Sequence, residues 1–243
     1  MIEAQNNVTV QDQDGNSTKP LLPLVVGGLT ITCEDNMELM KRYPDNYFDL
    51  AIVDPPYVME GNKFCTINKK FIKEGFSFAQ IDSGGETGYN LGNRPSQKYW
   101  NELFRVSKNQ IVFGMQYFTN FLPPKQCVLI WDKKNHNSRQ SSAEIAWTSF
   151  NYGVRVFTFD HRSIEKIHPT QKPIQLYSWI MNHPMNTFCK PGQKILDTHL
   201  GSGSIAIACY DYGFELTACE LDEKYFLKAK KRIIDHVAQQ KLF

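Results

Sequence analysis

A strand, a glycine loop, a helix and a second strand follow one another near residue 200, and this unit constrains the fold of the 243-residue chain most strongly. Residues 194–197 (KILD) have the pattern of a short buried strand, and the loop 200–204 (LGSGS) follows it. An apolar helix is predicted over 205–212, and the next strand, 214–220, ends in an acidic residue. Because two strands joined by a crossover helix run parallel in one sheet, the unit predicts an α/β fold.

The rest of the chain repeats this alternation. Further strands are predicted at 48–53, 110–113 and 127–131, and further helices at 34–42, 97–106, 173–183 and from Asp222 onward. These elements indicate a mostly parallel, twisted sheet with helices on both faces.

Three segments fall outside this alternation. Residues 1–22 have little hydrophobic pattern and are predicted to form a flexible tail before a single domain over 23–243. Residues 58–96 are polar and glycine-rich, and so long an irregular segment is typical of a functional or mobile loop. Residues 135–167 combine a basic loop with aromatic, strand-prone sequence and are predicted to be an insert.

The composition excludes several classes of protein. The sequence has no run of about 18 apolar residues and no apolar segment near Met1, so we expect a cytoplasmic protein without a membrane span. Its six cysteines form no C-x-x-C pair, which argues against a zinc or redox motif. With 27 basic and 25 acidic residues the net charge is only +2, so a nucleic-acid partner would require a local basic face.

The glycine loop also predicts a ligand site. A Gly-x-Gly turn lets the backbone approach a ligand closely, and the helix after it presents free N–H groups. Asp197 and Glu220 are 23 positions apart, near the spacing of about 20 that nucleoside-binding units show. Ala206 stands where a dinucleotide fingerprint would have its third glycine, and alanine there leaves an NAD enzyme open. The alternative is a plain turn beside an exposed Glu220.

A second motif, the segment 54–57 (DPPY), follows the strand predicted at 48–53. Its two prolines lack N–H donors and fix φ, which leaves the Pro55 carbonyl rigid and unpaired. Together with the Asp54 carboxylate this carbonyl makes two acceptors beside the aromatic ring of Tyr57. An aromatic amine carries two N–H donors on one nitrogen and would complement them. The alternative is a strand-ending turn with a capping Asp54.

In their order along the chain these motifs resemble the β class of DNA amino-methyltransferases, a circularly permuted family in which the catalytic motif precedes the cofactor loop. The segment 168–173 (HPTQKP) is similar to the family segment that supports the methionine end of the cofactor, and Glu34-Asp35 resembles an upstream Gly-Asp segment near the cofactor adenine. The resemblance covers about residues 28–240. It implies a Rossmann-like fold and an enzyme that uses S-adenosylmethionine, acts on DNA and needs no metal.

The resemblance also implies a site. The catalytic residues would be Asp54, Pro55, Pro56 and Tyr57, with Tyr57 stacking on a base flipped out of the duplex. The cofactor would be bound by Asp35, His168, Lys172, Asp197, Gly201, Gly203, Ser204 and Glu220. Target recognition is expected between 135 and 167. DNA phosphates would be contacted by Lys69, Lys70, Lys133, Lys134, Arg139, Arg155, Arg162 and Lys166, although an ordinary solvated surface would account for any one of them.

The chain departs from the family pattern at Thr198-His199, where the family has Pro-Phe, and we expect His199 to be structural rather than a general base. Asp54 favours N6 of adenine, because enzymes that methylate N4 of cytosine more often carry Ser there. The alternatives are N4-cytosine methylation and a catalytically silent DNA-binding module. The compact size resembles stand-alone phage or prophage enzymes, for which recognition would be brief or shared across a homodimer, and a partner restriction nuclease is left open.

Overall fold

A computed structural model describes residues 10–11, 17–18, 21–57, 94–136, 141–160, 162, 167–168, 170–183 and 188–240. Nearly all of the predicted loop 58–96 lies outside these ranges, as do most of the predicted tail and parts of the insert 135–167. Along the described part of the chain, no helix combines the length and apolar character needed to cross a membrane.

The described chain alternates between strands and helices, with a long segment of strands in its middle. The strands are β1 (Val10–Gln11), β2 (Ser17–Thr18), β3 (Leu24–Val26), β4 (Leu29–Cys33), β5 (Leu50–Val53), β6 (Gln110–Phe113), β7 (Val128–Asp132), β8 (Ala143–Thr148), β9 (Arg155–Thr158), β10 (Lys194–Asp197) and β11 (Glu215–Glu220). The helices are α1 (Asn36–Lys41), α2 (Gln97–Val106), α3 (Ile174–Met181), α4 (Ser204–Tyr212) and α5 (Glu223–Gln240), with a 3-10 turn at Met115–Tyr117.

Nine of the described strands form one sheet in the order β3-β4-β11-β10-β5-β6-β8-β7-β9. The central run from β4 to β6 is parallel throughout. β3 and β8 run antiparallel to their neighbours, and β9 pairs in parallel with β7. The prediction of a mostly parallel, Rossmann-like α/β sheet is therefore confirmed.

Side chains of the central strands alternate between two hydrophobic clusters, one on each face of the sheet. Leu50 and Ile52 pack with buried residues of α3, α4 and α5. Ala51 and Val53 pack with buried residues of α1 and α2, including the fully buried Trp100. Because β5 is buried on both faces, its sequence is continuously apolar, as expected for a central parallel strand.

Four strands in the first part of the chain lay outside the sequence prediction. β3 and β4 form a hairpin whose turn residues, Gly27 and Gly28, have φ of +54° and +83°. Two adjacent glycines between apolar segments are typical of such a turn, so the signal was present in the sequence. Within the predicted tail, β1 and β2 make a two-residue antiparallel pair.

Candidate active site

Four acidic residues lie at the carboxyl ends of four neighbouring parallel strands. Asp35 follows β4, Glu220 ends β11, Asp197 ends β10 and Asp54 follows β5, and these strands are adjacent in the sheet in that order. Ligands of open α/β sheets bind at this edge. The motif at 54–57 and the glycine loop are far apart in sequence, but the pairing of β5 with β10 brings them to one edge.

The Asp54 carboxylate is part of a chain of four charged side chains. Lys172 Nζ donates a hydrogen bond to Asp54 Oδ2 and lies 3.3 Å from Glu144 Oε2. Glu144 Oε1 lies 2.7 Å from Lys133 Nζ. The Lys172 side chain is only 4% exposed, and its ammonium lies 4.6 Å from the centre of the Phe113 ring. Two basic and two acidic side chains therefore pair around the buried Lys172, and the other three members are partly exposed.

These neighbours also set the pKa values of the charged chain. Burial raises the pKa of Asp54, Lys172 opposes this shift, and the Glu144 charge adds to it. Burial acts against the Lys172 cation, but Asp54 and Glu144 outweigh it and raise the pKa of Lys172. Burial also acts against the Glu144 charge, but Lys172 and Lys133 hold the pKa of Glu144 below its usual range. Lys172 and Glu144 are therefore both charged at neutral pH.

The ring of Tyr57 is stacked on Tyr117, with the centroids 3.9 Å apart and the planes 14° from parallel. Gly114, with φ of +70°, makes this packing feasible, because a Cβ at that position would lie 3.0 Å from Tyr57 Cε1. One face of Tyr57 is thus already covered by protein. Tyr117 and Gly114 had no motif around them and were missed by the sequence analysis.

On the other side of the site, backbone N–H groups hold the carboxylates. Gly201 N donates to Glu220 Oε2 at 2.8 Å, and Asp222 N donates to Glu220 Oε1 at 3.0 Å. Asp197 Oδ1 accepts a bond of 2.9 Å from His199 N. Burial raises the pKa of Asp197 to about 7, which brings its titration close to neutral pH.

His168 lies against the glycine loop, 3.8 Å from the place a Cβ on Gly201 would occupy. Its ring packs on Tyr225 with a centroid distance of 4.2 Å, and burial lowers the pKa of His168 to about 4. Lys172, four residues later, was predicted for the same cofactor wall. Its ammonium contacts Asp54 and Glu144 instead, so this segment serves both motifs.

Three residues predicted to bind the cofactor make packing contacts or hydrogen bonds within the protein. A Cβ on Gly203 would lie 3.1 Å from Ile233 Cδ1 and 3.3 Å from Ala229 Cβ, so this glycine permits α4 to approach α5. The buried Ser204 hydroxyl is 3.1 Å from Ser202 Oγ and accepts a bond of 3.0 Å from Arg232 Nη1. Asp35 caps α1, with Oδ1 accepting from Met37 N at 2.8 Å.

The departure at Thr198-His199 forms a hydrogen-bonded network. Thr198 Oγ1 lies 2.9 Å from His199 Nδ1 and 2.8 Å from Tyr99 Oη, and His199 Nε2 lies 3.1 Å from Asn36 Nδ2. Burial lowers the pKa of His199 to about 3, which keeps the ring neutral. With both ring nitrogens occupied, His199 links α1, α2 and the end of β10, in keeping with a structural role.

The residues predicted to contact DNA phosphates are divided by the structure. Lys69, Lys70, Arg139 and Lys166 lie outside the described residues. Lys133 is committed to Glu144, Arg162 pairs with Asp160 at 2.7 Å, and Arg155 donates to the carbonyls of Gly153 and Val154. Lys134 is exposed and remains the best placed of the described set for a phosphate contact.

Comparison with known proteins adds a family and a fold. Residues 93–231 match the model of a family described as DNA methylase, covering both N6 and N4 enzymes. The crystal structure of the M1.HpyAVI–SAM complex is similar over 84% of this chain and 99% of that one, with 18% identity and a TM-score of 0.55. The cytosine-N4-specific PvuII DNA methyltransferase is similar over 87% and 92%, with 10% identity and a TM-score of 0.55. No curated protein sequence matches the chain.

Proposed function

We propose that this chain, which belongs to the DNA methylase family of N6 and N4 enzymes, transfers a methyl group to the exocyclic N6 of adenine in DNA. The observation that carries the proposal is the meeting of Asp54 with Asp197 and Glu220 at adjacent strand ends of one sheet. The order of the motifs, with residues 54–57 before the glycine loop, supports the circularly permuted β class.

The residues at the glycine loop fit S-adenosylmethionine, which supplies a methyl group bonded to a positively charged sulfur. Among the described residues no cation forms an ion pair with the buried Asp197, so the ammonium of an amino acid would complement it. Glu220 would hold the ribose hydroxyls, and Asp35, which follows the next strand of the sheet, would approach the adenine. The similar M1.HpyAVI protein was solved with this cofactor.

The Asp54 carboxylate and the Pro55 carbonyl would each accept a hydrogen bond from one of the two N–H groups of the target amine. This removes the nitrogen lone pair from the aromatic ring and directs it at the methyl carbon. The nitrogen forms a bond to that carbon as the carbon–sulfur bond breaks, and the sulfur keeps the electron pair. The methylated nitrogen is acidic and loses one proton to water. Asp54, paired with Lys172, therefore acts as an oriented acceptor rather than a strong base.

A base inside a duplex cannot reach this edge, so the target must be flipped out at a cost of a few kcal/mol. Since Tyr117 covers one face of Tyr57, the flipped base would stack on the other face. Phosphate contacts would come from Lys134 and from the basic residues outside the described ranges. Within the predicted insert 135–167, β8 and β9 belong to the nine-stranded sheet, so recognition of the target sequence would fall to the remaining residues of that range.

Adenine is favoured by Asp54, because the N4-cytosine enzymes that the motif resembles more often carry Ser. The cytosine-N4-specific PvuII enzyme has a similar fold, so the two bases have to be separated by experiment. The short insert supports a stand-alone, phage-type enzyme that acts on cytoplasmic DNA as a homodimer. Light scattering on the purified protein with and without DNA measures that state.

The test is nucleoside mass spectrometry of modification-free DNA after incubation with the protein and S-adenosylmethionine. We expect N6-methyladenine and no other methylated base. Detection of N4-methylcytosine instead would show that the protein is an N4-cytosine methyltransferase. Cofactor and DNA binding without any methylated base would identify a silent DNA-binding module instead.

A further inference from the structure

We propose that Lys172 and Glu144 are positioning residues that fix both the orientation and the charge of Asp54, and so set the pH range in which the enzyme works. This inference rests on the proposed function for its catalytic consequence. Its structural basis is the ion-pair chain around the buried Lys172, which no sequence motif includes as a unit.

The antiparallel part of the sheet explains how Glu144 reaches Asp54. β5 and β6 are parallel, and β8 runs antiparallel to β6 with Phe113 paired to Ala146. The beginning of β8 therefore lies at the carboxyl end of β6, and Glu144 extends two residues beyond that pair. β7 is antiparallel to β8, so its own end brings Lys133 to the same place. The topology thus adds two charges to the edge where β5 ends.

Lys172 approaches from the segment before α3, 118 positions from Asp54. Its ammonium binds Asp54 Oδ2 and lies 3.3 Å from Glu144 Oε2, so two of its three donors have carboxylate partners. Asp54 Oδ1 accepts no hydrogen bond from any described residue. Lys172 therefore fixes one carboxylate oxygen and leaves the other available for a substrate N–H.

Glu144 fixes the position of the Lys172 ammonium through an ion pair, and Lys172 fixes the Asp54 carboxylate in the same way. A buried ammonium with one partner is free to turn, whereas one fixed between two carboxylates has a defined direction. Lys133 completes the chain by neutralising Glu144 at 2.7 Å. The chain carries no net charge, so the desolvation of each member is offset by a neighbour.

The other groups that face Asp54 do not compete with this pair. Asp197, at the end of β10, adds a weaker negative charge from the cofactor side. Tyr57, Tyr99 and Tyr177 interact electrostatically with Asp54, but burial raises the pKa of each phenol, so all three are neutral at physiological pH. The sign of the field at Asp54 is therefore decided mainly by Lys172, which stabilises the carboxylate, and Glu144, which opposes it.

Two charge-removing variants then have opposite effects. Lys172→Met removes the cation, so the pKa of Asp54 rises and the acidic limb of the kcat–pH profile moves up by about 1 to 3 pH units. Glu144→Gln removes the opposing carboxylate, so the pKa of Asp54 falls and the acidic limb moves to lower pH. In Glu144→Gln the Kd for S-adenosylmethionine stays within about twofold of wild type, because Glu144 does not contact the glycine loop. The Lys172 charge lowers the pKa of Asp197, so the Kd of Lys172→Met is compared with wild type at about pH 9, where Asp197 stays ionised in both proteins and the same limit applies.

A second readout does not depend on activity. The 13C signal of the Asp54 carboxyl, assigned with Asp54→Asn, is titrated by NMR in the full-length protein and both variants. Lys231→Met and Asp235→Asn are the matched controls, since they remove the same charges from an exposed ion pair on α5 and should leave the titration unchanged. Glu144→Gln is nearly isosteric, so its downward shift tests the proposal even if Lys172→Met unfolds.

Opposite shifts of the Asp54 titration support the proposal whether the product is methyladenine, methylcytosine or nothing. Equal titrations, or shifts of the same sign, overturn it. A cofactor Kd raised tenfold or more in Lys172→Met with an unchanged titration also overturns it and assigns Lys172 to the cofactor wall. Loss of methylated product in the wild type alone contradicts only the proposed function.

Discussion

The two halves of the site hold their carboxylates in different ways. In the glycine-loop half (Asp197, Gly201, Glu220 and Asp222), each carboxylate accepts bonds from backbone N–H groups within 20 residues of it. In the Asp54 half (Asp54, Glu144, Lys172, Tyr57 and Tyr117), side chains from distant segments meet, and Lys172 lies 118 positions from its partner. Local turns build the first half, and tertiary packing builds the second.

This difference teaches which contacts depend on the whole fold. A backbone donor keeps its position as long as the strand and turn around it form, and it carries no charge that titrates. A buried ammonium depends on every segment that places it and responds to the charges beside it. Mutations in the glycine-loop half should therefore change mainly cofactor affinity, and mutations in the Asp54 half should change mainly kcat and its pH dependence.

The largest expected effect belongs to Asp54→Ala. Loss of one of two oriented acceptors should lower kcat by about 10² to 10³-fold, as removal of a transition-state hydrogen bond does elsewhere. Cofactor Kd, measured by calorimetry, should stay near wild type, since the glycine-loop half is untouched. A comparable loss of cofactor affinity would show that the halves are not independent.

A smaller effect, with the opposite signature, is expected for Glu220→Gln. The substitution replaces a charged acceptor of the ribose hydroxyls by a neutral one, which should raise the cofactor Kd by about 10 to 100-fold. kcat at saturating cofactor should change little. Glu215→Gln, exposed at the start of the same strand, is the control. If kcat fell and Kd did not, Glu220 would belong to the chemical step.

The pH dependence of cofactor binding should follow Asp197. Because burial raises the pKa of this carboxyl to about 7, it gains a proton as the pH falls through 7 and loses its attraction for a cationic ligand. Affinity should therefore decrease by up to about tenfold per pH unit below 7. Calorimetry at several pH values measures the slope, which Asp197→Asn should abolish. A slope that survives the substitution would assign the titration to another group.

The smallest effect is expected for Tyr117→Ala. Without its stacking partner, Tyr57 becomes less fixed, and KM for DNA should rise about threefold with kcat nearly unchanged. Steady-state kinetics measure this, with the exposed Tyr212→Ala as control. A lower KM would mean that Tyr117 occupies the place that the flipped base takes.

What the sequence predicted correctly follows the same division. The strand before Asp54, the glycine loop and the acid at the end of β11 are each defined by neighbours in sequence, so pattern and turn chemistry locate them. The approach of the two motifs also follows, since parallel strands of one sheet end at one edge. The arrangement of the glycine-loop half could thus largely be predicted from the sequence, although the contacts of Gly203 and Ser204 with α5 could not.

The Asp54 half was not readable in the same way. Lys172 belongs to a recognisable segment, but its direction depends on Glu144, which lies in β8, a strand that the sequence analysis did not delimit within the predicted insert. Lys133 lies in a basic loop and was therefore predicted to contact DNA, but its ammonium forms an ion pair with Glu144. The only signal in the sequence was an acidic residue, Glu144, next to apolar residues. Its role follows from the register of β7 and β8, which pairs it with Trp131 beside Lys133.

Gly203 has a consequence for judging distant copies of this gene. A Cβ there would crowd Ile233 and Ala229, and φ is +74°, so packing favours glycine at this position even in a copy that had lost its enzymatic activity. Survival of this glycine is evidence of an intact scaffold and says nothing of a working enzyme. Searches for decayed copies should weigh the pairing of Asp54 with Lys172 instead, because stability alone gives little reason to retain a buried ion pair.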